Sequence, residues 1–302
     1  MSFQISVPVG YDLLASVHSW IYPDIQPVPE QTGDGYFGRV YDIDNERVAL
    51  VINQSEPGVR LRVSHSETNI PRTILRSLVK RTLGLKINFE DALNQIANDS
   101  VLSNLIPGLT GIRPYQSPTP FEALIKTIIQ QQISYRAANI FTNRMVLELS
   151  RSISHEGKTW YHFPDAKSIS RKGSEGLKQF GFGYKTAYIH GVASLVADGK
   201  LDLDGLVGAS YDKVLSELKP IRGIGVWTVK VLSLAGLGDF SVFAYSDLVI
   251  QRIMGDLYNN GKRMTARQVK DHSLNWGAAS TKVLYLLMSA EVLGLIDSAE
   301  KS

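Results

Sequence analysis

The sequence contains no cysteine. Disulfides, thiolate zinc sites, iron–sulfur clusters and a cysteine nucleophile are therefore excluded. Long apolar runs are also missing, because the best candidate, Val283 to Leu295, is interrupted by Glu291 and falls short of about 20 residues. The N-terminus, Met1 to Pro8, carries no basic stretch followed by an apolar segment. We therefore predict an intracellular protein that does not enter a membrane.

Neither positive nor negative charge predominates, because 32 basic and 29 acidic residues leave a net charge of only +3. This balance permits a nucleic-acid partner without requiring one. The six histidines show no His-x-x-x-His spacing, so we predict no metal site on a helix. The composition, 44% hydrophobic and 20% charged, is that of a globular protein, and 302 residues suggest two domains.

The first 65 residues or so follow a strand pattern. Val59, Leu61 and Val63 alternate with polar residues, and a period of two predicts a strand with one buried face. Turn residues separate this segment from two earlier apolar runs, which predicts a small antiparallel sheet. The predicted elements are a short helix over 12–20 and strands over 36–42, 47–53 and 59–64, with turns at Asp44-Asn45 and 56–58.

Beyond residue 87 the apolar spacing predicts helices and no strand. Pro71 opens a helix before this region, and Gly84 ends that segment. Ser134 is expected to cap a helix that follows another helix beginning near Phe121. The remaining predictions are a loop over 155–164 and helices over 174–180, 184–198 and 210–219.

Residues 215–252 carry the most specific pattern. A helix ending near Lys219 is followed by a short segment with Gly223 and Gly225, and a second helix begins near Val226. Glycines permit positive φ and close approach of another backbone. The first amides of the second helix have no internal partner and lie at the positive end of its dipole. The segment is therefore either an anion seat suited to a phosphate or a plain turn between two helices.

An aspartate follows this turn at a distance of 22 residues, at Asp247. Ser246 is predicted to cap the next helix, which would place Asp247 in the first turn. A carboxylate there commonly does no more than compensate the helix dipole. Seen alone, Asp247 therefore indicates no activity.

A family resemblance changes this interpretation. The pattern Leu-x-x-Ile-x-Gly-Ile-Gly-x-Trp-Thr over 218–228, followed by Asp247 at a helix start, resembles the helix–hairpin–helix (HhH-GPD) DNA glycosylase superfamily. It is similar above all to the alkylpurine (3-methyladenine) DNA glycosylases of the AlkA type. Residues 120–134 resemble the helix that ends at the family's damage-facing turn, and 276–286 also fit. The similarity is strong over 120–146 and 215–253 and weaker over 1–90.

The resemblance implies a mainly α fold with an N-terminal α+β domain. Residues 1–88 would form an accessory domain whose antiparallel sheet resembles half of a TATA-binding protein. Residues 89–302 would form two helical subdomains that flank a DNA-facing cleft. Of these, 120–230 would be the central subdomain ending in the helix–hairpin–helix, and 89–119 would join 231–302 in the second.

The implied function is a monofunctional DNA glycosylase of base excision repair, which excises alkylated and also deaminated bases. Such an enzyme flips the damaged base out of the stack, since the N-glycosidic bond is unreachable inside a duplex. Asp247 would stabilise the oxocarbenium-like sugar and orient the attacking water. The rival carboxylates, Asp239 and Asp256, are expected to be solvated.

Further roles are implied residue by residue. Trp227 resembles the family's pocket tryptophan, which stacks on the flipped base, and its alternative role is core packing of the hairpin. Bifunctional relatives carry a lysine at that position, so we expect hydrolysis by water with no lyase step. Lys230 lies nearly one turn further on and has no role in the resemblance. Gln132 matches the residue that wedges into the gap left by the base, or else it is simply part of a polar helix end.

The hairpin itself would contact a DNA phosphate through Gly223, Gly225, Val226 and Thr228. The family commonly holds a monovalent cation at this hairpin, here through the main-chain carbonyls of Lys219, Ile221 and Ile224. No other cofactor is implied, and the lack of cysteine separates the chain from the iron–sulfur branch. Two departures concern the pocket: Val231 replaces a tyrosine and Met288 replaces an aromatic residue, which predicts a pocket with fewer aromatic walls.

Two other functions stay open on the sequence alone. One is a bifunctional 8-oxoguanine-type glycosylase with AP lyase activity, and the other is a non-catalytic DNA-binding protein that uses the hairpin only to grip phosphates. The expected partner is damaged double-stranded DNA, bound by a monomer in the cytoplasm, at the nucleoid if the source is prokaryotic.

Overall fold

The structure is a computed structural model that describes residues 1–43 and 46–296. The predicted turn at Asp44-Asn45 and the last residues of the predicted second helical subdomain, 297–302, lie outside the described residues. Within the described part of the chain, every helix is too short or too polar to cross a bilayer.

The N-terminal part contains an antiparallel sheet with the strand order β1-β5-β4-β3-β2. The predicted alternation is confirmed, since Leu61 and Val63 are fully buried and Arg62 between them is exposed. The strand begins at Leu61, because Val59 is 41% exposed and precedes the ladder. The elements are β1 (Ser2–Ile5), α1 (Leu13–His18), β2 (Gln31–Gly33), β3 (Tyr36–Ile43), β4 (Glu46–Asn53), β5 (Leu61–His65) and α2 (Arg72–Thr82).

Helices form most of the remaining chain. Ser134 caps one of them as predicted, since its side chain accepts from the Ala137 amide. The helix predicted over 174–180 begins much earlier, at Ala166, and Gly173 interrupts it with a φ of 71°. The helices are α3 (Glu90–Asn98), α4 (Ile106–Leu109), α5 (Pro120–Gln130), α6 (Tyr135–Leu149), α7 (Ala166–Leu177), α8 (Thr186–Ala197), α9 (Tyr211–Leu218), α10 (Val226–Leu232), α11 (Leu248–Tyr258), α12 (Ala266–Ser273) and α13 (Ser280–Val292).

The prediction of no strand beyond residue 87 is wrong. Strands β6 (Ser152–His155) and β7 (Lys158–Tyr161) form a hairpin. This hairpin overlaps most of the segment 155–164, which was predicted to be a loop. Each strand has only four residues, which is too short for a clear alternation of apolar and polar residues. Tertiary packing stabilises the hairpin, because Trp160 is fully buried against Val51 and its neighbours on the large sheet. Gly38 makes room for it, since a Cβ there would lie 2.4 Å from the tryptophan ring.

Three large hydrophobic cores organise the described residues. One lies between the N-terminal sheet and helices α1 and α2. A second contains residues from 123–232. The third combines residues of 89–112 with residues of 234–296. The chain therefore leaves one helical core after residue 112 and returns to it after residue 234, with the second core inserted between.

A buried ion cluster joins the sheet to α5. Arg39 donates to Glu30 at 2.9 Å and to Glu122 at 2.6 Å, and all three side chains are 0–3% exposed. Lys126 bridges the same two carboxylates at 2.8 and 2.7 Å, and the Tyr115 hydroxyl donates to Glu30 at 2.7 Å. Burial by itself would raise the pKa of Glu122, but Arg39 and Lys126 outweigh burial and hold that pKa well below its usual range.

Candidate active site

The predicted turn between two helices is present between α9 and α10. The Ile221 amide donates to the Leu218 carbonyl and the Ile224 amide to the Ile221 carbonyl, both at 3.0 Å, so the chain reverses tightly. Gly223 has a φ of 92°, and a Cβ at this position would lie 2.2 Å from the Tyr188 ring. Both facts require glycine at 223, in agreement with the sequence.

Gly225 serves a different purpose. Its φ of −105° is open to any residue, and a Cβ there would meet nothing within 4 Å. It is the N-cap of α10 and caps no amide with a side chain, so the first amides of that helix have no internal acceptor. Gly225 and Val226 are exposed, which leaves this end of α10 open to a ligand.

Thr228 differs from the other predicted phosphate contacts, since it is only 2% exposed. Its hydroxyl accepts a hydrogen bond from the side-chain amide of Gln131 at 3.0 Å. The structure therefore places the Thr228 side chain in the interior of the hairpin, toward the end of α5.

The three carbonyls expected to hold a cation, those of Lys219, Ile221 and Ile224, belong to the same turn. The Ile221 oxygen already accepts from the Ile224 amide and retains a second lone pair. Among residues 1–43 and 46–296, no cluster of three acidic or histidine side chains could hold a metal. The donors available in this turn are thus neutral main-chain oxygens, which suit a monovalent cation better than a divalent one.

Asp247 is the N-cap of α11, and this corrects the prediction that Ser246 would cap the helix. Its Oδ1 accepts from the Val249 amide at 2.9 Å, and its own amide donates to the Ala244 carbonyl at 2.8 Å. Aspartate is as good an N-cap as serine, so the residue types alone could not decide between the two positions. The cap places the carboxylate at the positive end of α11.

Trp227 connects the hairpin to this carboxylate. Its indole Nε1–H donates to Asp247 Oδ2 at 3.0 Å. Both side chains are half-buried, and no lysine, arginine or histidine of the described residues forms a salt bridge with Asp247. Two neutral donors therefore orient the carboxylate, and its remaining lone pairs and its charge are available to a ligand.

Apolar side chains next to Asp247 and Trp227 in the sequence are exposed. Leu248 is 62% exposed, Val249 39% and Val226 43%. Lys230 lies over the ring of Tyr245, with its Nζ 5.5 Å from the ring centroid. Burial and the nearby charge of Lys270 lower the pKa of Lys230. The exposed surface formed by Asp247 and its sequence neighbours thus combines one fixed carboxylate with apolar side chains.

The two rival acids have local partners. Asp239 Oδ1 accepts from the Ser241 amide at 2.8 Å, within its own loop. Asp256 pairs with Arg252 at 3.4 Å, and its side chain is 19% exposed. The expectation that Asp256 would be solvated is therefore wrong.

A small internal cavity lies one helical turn along α10 from Trp227. Its volume is about 50 Å³, enough for a few water molecules. It reaches Val231 but neither Met288 nor Asp247. Its aromatic walls come from elements that the sequence could not bring together: Trp20, Tyr115 and Tyr135.

The turn between α5 and α6 lies beside the hairpin. Gln132 is exposed and has a φ of 57°, and its side-chain oxygen accepts from the Tyr184 hydroxyl at 2.8 Å. Tyr184 is 55% exposed, and sequence analysis missed it because nothing in the sequence predicts its approach to Gln132. The same holds for Gln131, which donates to the Gly223 carbonyl at 2.8 Å.

Helices α9 and α10, joined by the glycine-containing turn, form a helix–hairpin–helix whose second helix binds the N-cap aspartate of α11. Residues 125–278 match the HhH-GPD superfamily of base excision DNA repair proteins. The match covers half of the chain, so the protein belongs to this superfamily, and the resemblance found in the sequence is confirmed.

Individual proteins of known name and structure are similar to this chain. The DNA-3-methyladenine glycosylase of Bacillus subtilis is 28% identical over 167 residues, which cover 55% of each chain. The match thus spans about half the length of that curated relative. The 3-methyladenine DNA glycosylase of Archaeoglobus fulgidus shares the fold over 96% of this chain and 98% of its own, with a TM-score of 0.86 at 24% identity. Mag1 of Schizosaccharomyces pombe, solved in complex with abasic DNA, is 26% identical and has a TM-score of 0.55 over 66% of this chain and 96% of its own.

Proposed function

We propose that this protein is a monofunctional DNA glycosylase that hydrolyses the N-glycosidic bond of alkylated bases, and of deaminated bases, in double-stranded DNA. The observation that carries the proposal is the carboxylate of Asp247, held by the Trp227 indole at 3.0 Å and free of any cation partner among the described residues. The names of the relatives support the same activity.

The reaction builds positive charge on the deoxyribose as the base departs. Asp247 stabilises this charge electrostatically and accepts a hydrogen bond from the water that attacks the anomeric carbon. The Val249 amide and the Trp227 indole hold the carboxylate, so no reorientation is needed during the step. Trp227 also presents the face of its ring to the flipped base.

The hairpin binds a backbone phosphate next to the flipped nucleotide. The exposed amides that follow Gly225 supply the donors, and Gly223 permits the tight turn that presents them. The carbonyls of Lys219, Ile221 and Ile224 would hold a monovalent cation, which would add positive charge at this position. Gln132 enters the gap left by the base, which its exposed position in a turn supports.

The domain limits are part of the proposal. Residues 1–88 form the accessory domain and 89–302 the glycosylase region, with 120–230 as its central subdomain and 89–119 joined to 231–302 in the second. The three hydrophobic cores support these limits. The protein acts as a monomer, since one chain carries both the carboxylate and the hairpin, and it works at the nucleoid if its source is prokaryotic.

Replacement of Asp247 tests the proposal. We expect Asp247→Asn to reduce release of 3-methyladenine and hypoxanthine from duplex oligonucleotides by at least about 100-fold. Asparagine is an equally good N-cap but cannot also accept from the Trp227 indole, so the free energy of unfolding should fall by no more than about 3 kcal/mol. The affinity for abasic-site DNA should be retained.

Base release by Asp247→Asn at the rate of the unmodified protein would contradict the catalytic assignment. Borohydride reduction during turnover tests the absence of a lyase step, since a covalent protein–DNA adduct would require a Schiff base. An unmodified protein that binds duplex DNA and releases no base would instead be a non-catalytic DNA-binding protein.

A further inference from the structure

The turn that joins α5 to α6 has an unfavourable backbone. Gln131 follows α5 with a φ of −53° and a ψ of 127°, outside the helical region, and Gln132 has a φ of 57°, a region that non-glycine residues rarely adopt. Gln132 is exposed, so burial of its own side chain does not stabilise this conformation. Contacts from neighbouring residues must therefore hold the turn.

The side chain of Gln131 supplies the first contact. Its amide nitrogen donates to the Gly223 carbonyl at 2.8 Å and to the Thr228 hydroxyl at 3.0 Å. Gly223 lies in the turn of the hairpin and Thr228 in the first helical turn of α10. Both hydrogens of one amide group are thus used to join the end of α5 to the two parts of the hairpin.

Lys185 supplies the second contact, at the end of α5. It is 3% exposed, and its Nζ donates to the carbonyls of Ile129 at 2.5 Å and Gln131 at 2.9 Å. No acidic side chain of the described residues compensates this buried charge, and burial lowers the pKa of Lys185. An ammonium at this position stabilises the C-terminal end of α5, where orphan carbonyls carry partial negative charge.

We propose that Gln131 and Lys185 are positioning residues that hold the turn at Gln132 in a fixed relation to the hairpin, so that base flipping is coupled to the grip on the phosphate. This inference rests on the proposed glycosylase function. A residue that fills the gap in the stack is effective only when the backbone on either side of the lesion is held still. Gln131 joins the turn at Gln132 to the phosphate-binding turn, and Lys185 holds the end of α5 that carries Gln131.

The test compares two DNA duplexes that differ only in the cost of flipping. In one, hypoxanthine lies opposite thymine, and in the other it lies opposite an abasic site, where no pairing must be broken. We expect Gln131→Leu to reduce kcat/KM on the paired lesion by about 10–100-fold, the size of effect that a displaced positioning group produces. On the unpaired lesion the loss should stay below about 3-fold, because flipping is no longer limiting. Lys185→Met should show the same difference between the duplexes.

Matched variants separate positioning from a general loss of structure. Gln179 is exposed, and among the described residues its side chain donates to Glu148 alone, so Gln179→Leu should leave both rates unchanged. Gln131→Glu keeps the length of the side chain and removes both donors, so it should behave like Gln131→Leu. Thermal unfolding is recorded for every variant.

Equal losses on the two duplexes would overturn the positioning role, whether or not the melting temperature falls, and so would the absence of any loss. A different result would contradict the proposed function, namely full activity of Asp247→Asn on both duplexes. If the unmodified protein releases neither hypoxanthine from these duplexes nor 3-methyladenine from alkylated duplex DNA, this inference falls together with the proposed function. If it releases 3-methyladenine alone, the same comparison is made with that base in place of hypoxanthine.

Discussion

Two sets of carboxylates in this molecule have opposite surroundings. Asp247 is half-buried, accepts hydrogen bonds from two neutral donors and has no cation partner among the described residues. Glu30 and Glu122 are buried at the junction of the sheet and α5, where Arg39 and Lys126 neutralise them. A carboxylate that is fully paired holds two parts of the fold together. Asp99 is also held by neutral donors, so orientation without a cation does not by itself mark a catalytic acid. Asp247 differs from Asp99 because the indole that orients it belongs to the helix–hairpin–helix, which is why we propose Asp247 as the catalytic acid.

Removal of the Glu122 carboxylate from the buried ion cluster should give the largest effect on stability. We expect Glu122→Gln to lower the free energy of unfolding by about 3–5 kcal/mol, because Arg39 and Lys126 would keep buried charge with one carboxylate fewer. Urea denaturation measures the change. Base release by the folded fraction should stay within a few-fold of the unmodified rate. A variant that remains stable but loses base release would break the distinction between the two sets of carboxylates.

Loss of one neutral donor at Asp247 should give a smaller effect, and on activity instead of stability. Trp227→Phe keeps an aromatic ring and removes the N–H that binds Oδ2. A hydrogen bond to a charged group contributes about 1.5–3 kcal/mol, so base release should fall by about 10–100-fold. Trp276→Phe is the matched control, since that indole donates to Asp99 at 3.4 Å, outside the candidate active site. Equal losses in both variants would show that the indole bond has no special role at Asp247.

Acid should weaken the ion cluster gradually. The pKa of Glu122 is lower in the folded protein than in the unfolded chain, so its contribution is complete above about pH 4.3, the unfolded value. That contribution is lost as the pH falls through the lower folded value. Urea titrations between pH 7 and pH 3 should therefore show the stability difference between the unmodified protein and Glu122→Gln narrowing below about pH 4.3. A constant difference over this range would mean that Glu122 is not held ionised by its partners.

Local patterns account for much of what could be predicted. The alternation around Leu61 and the helical spacing around Leu124 follow from nearest neighbours in the chain, and both segments have the predicted type. The β6–β7 hairpin was missed because its strands are short and its stability comes from Trp160, which packs on residues about 110 positions earlier. The cap at Asp247 was misplaced by one residue because serine and aspartate are equally good N-caps.

The residues of the candidate site also fall into those that the sequence could predict and those that only the fold brings together. Gly223, Trp227 and Asp247 could be selected from a motif because the turn and the two helices that carry them are continuous or nearly so in sequence. Gln131, Tyr184 and Lys185 could not, since each acquires its role from a partner across the fold. The aromatic walls of the small cavity follow the same rule, because they come from three separate segments.

By itself, the sequence determined the absence of thiol chemistry, the types of most elements and the helix–hairpin–helix motif with its downstream aspartate. These properties depend on composition and on spacing along one segment. Only the tertiary structure decided that, among the described residues, Asp247 has no cation partner whereas Glu30 and Glu122 are neutralised in the interior. Charge pairing depends on distances in space between residues that are far apart in the chain, and no local periodicity encodes those distances.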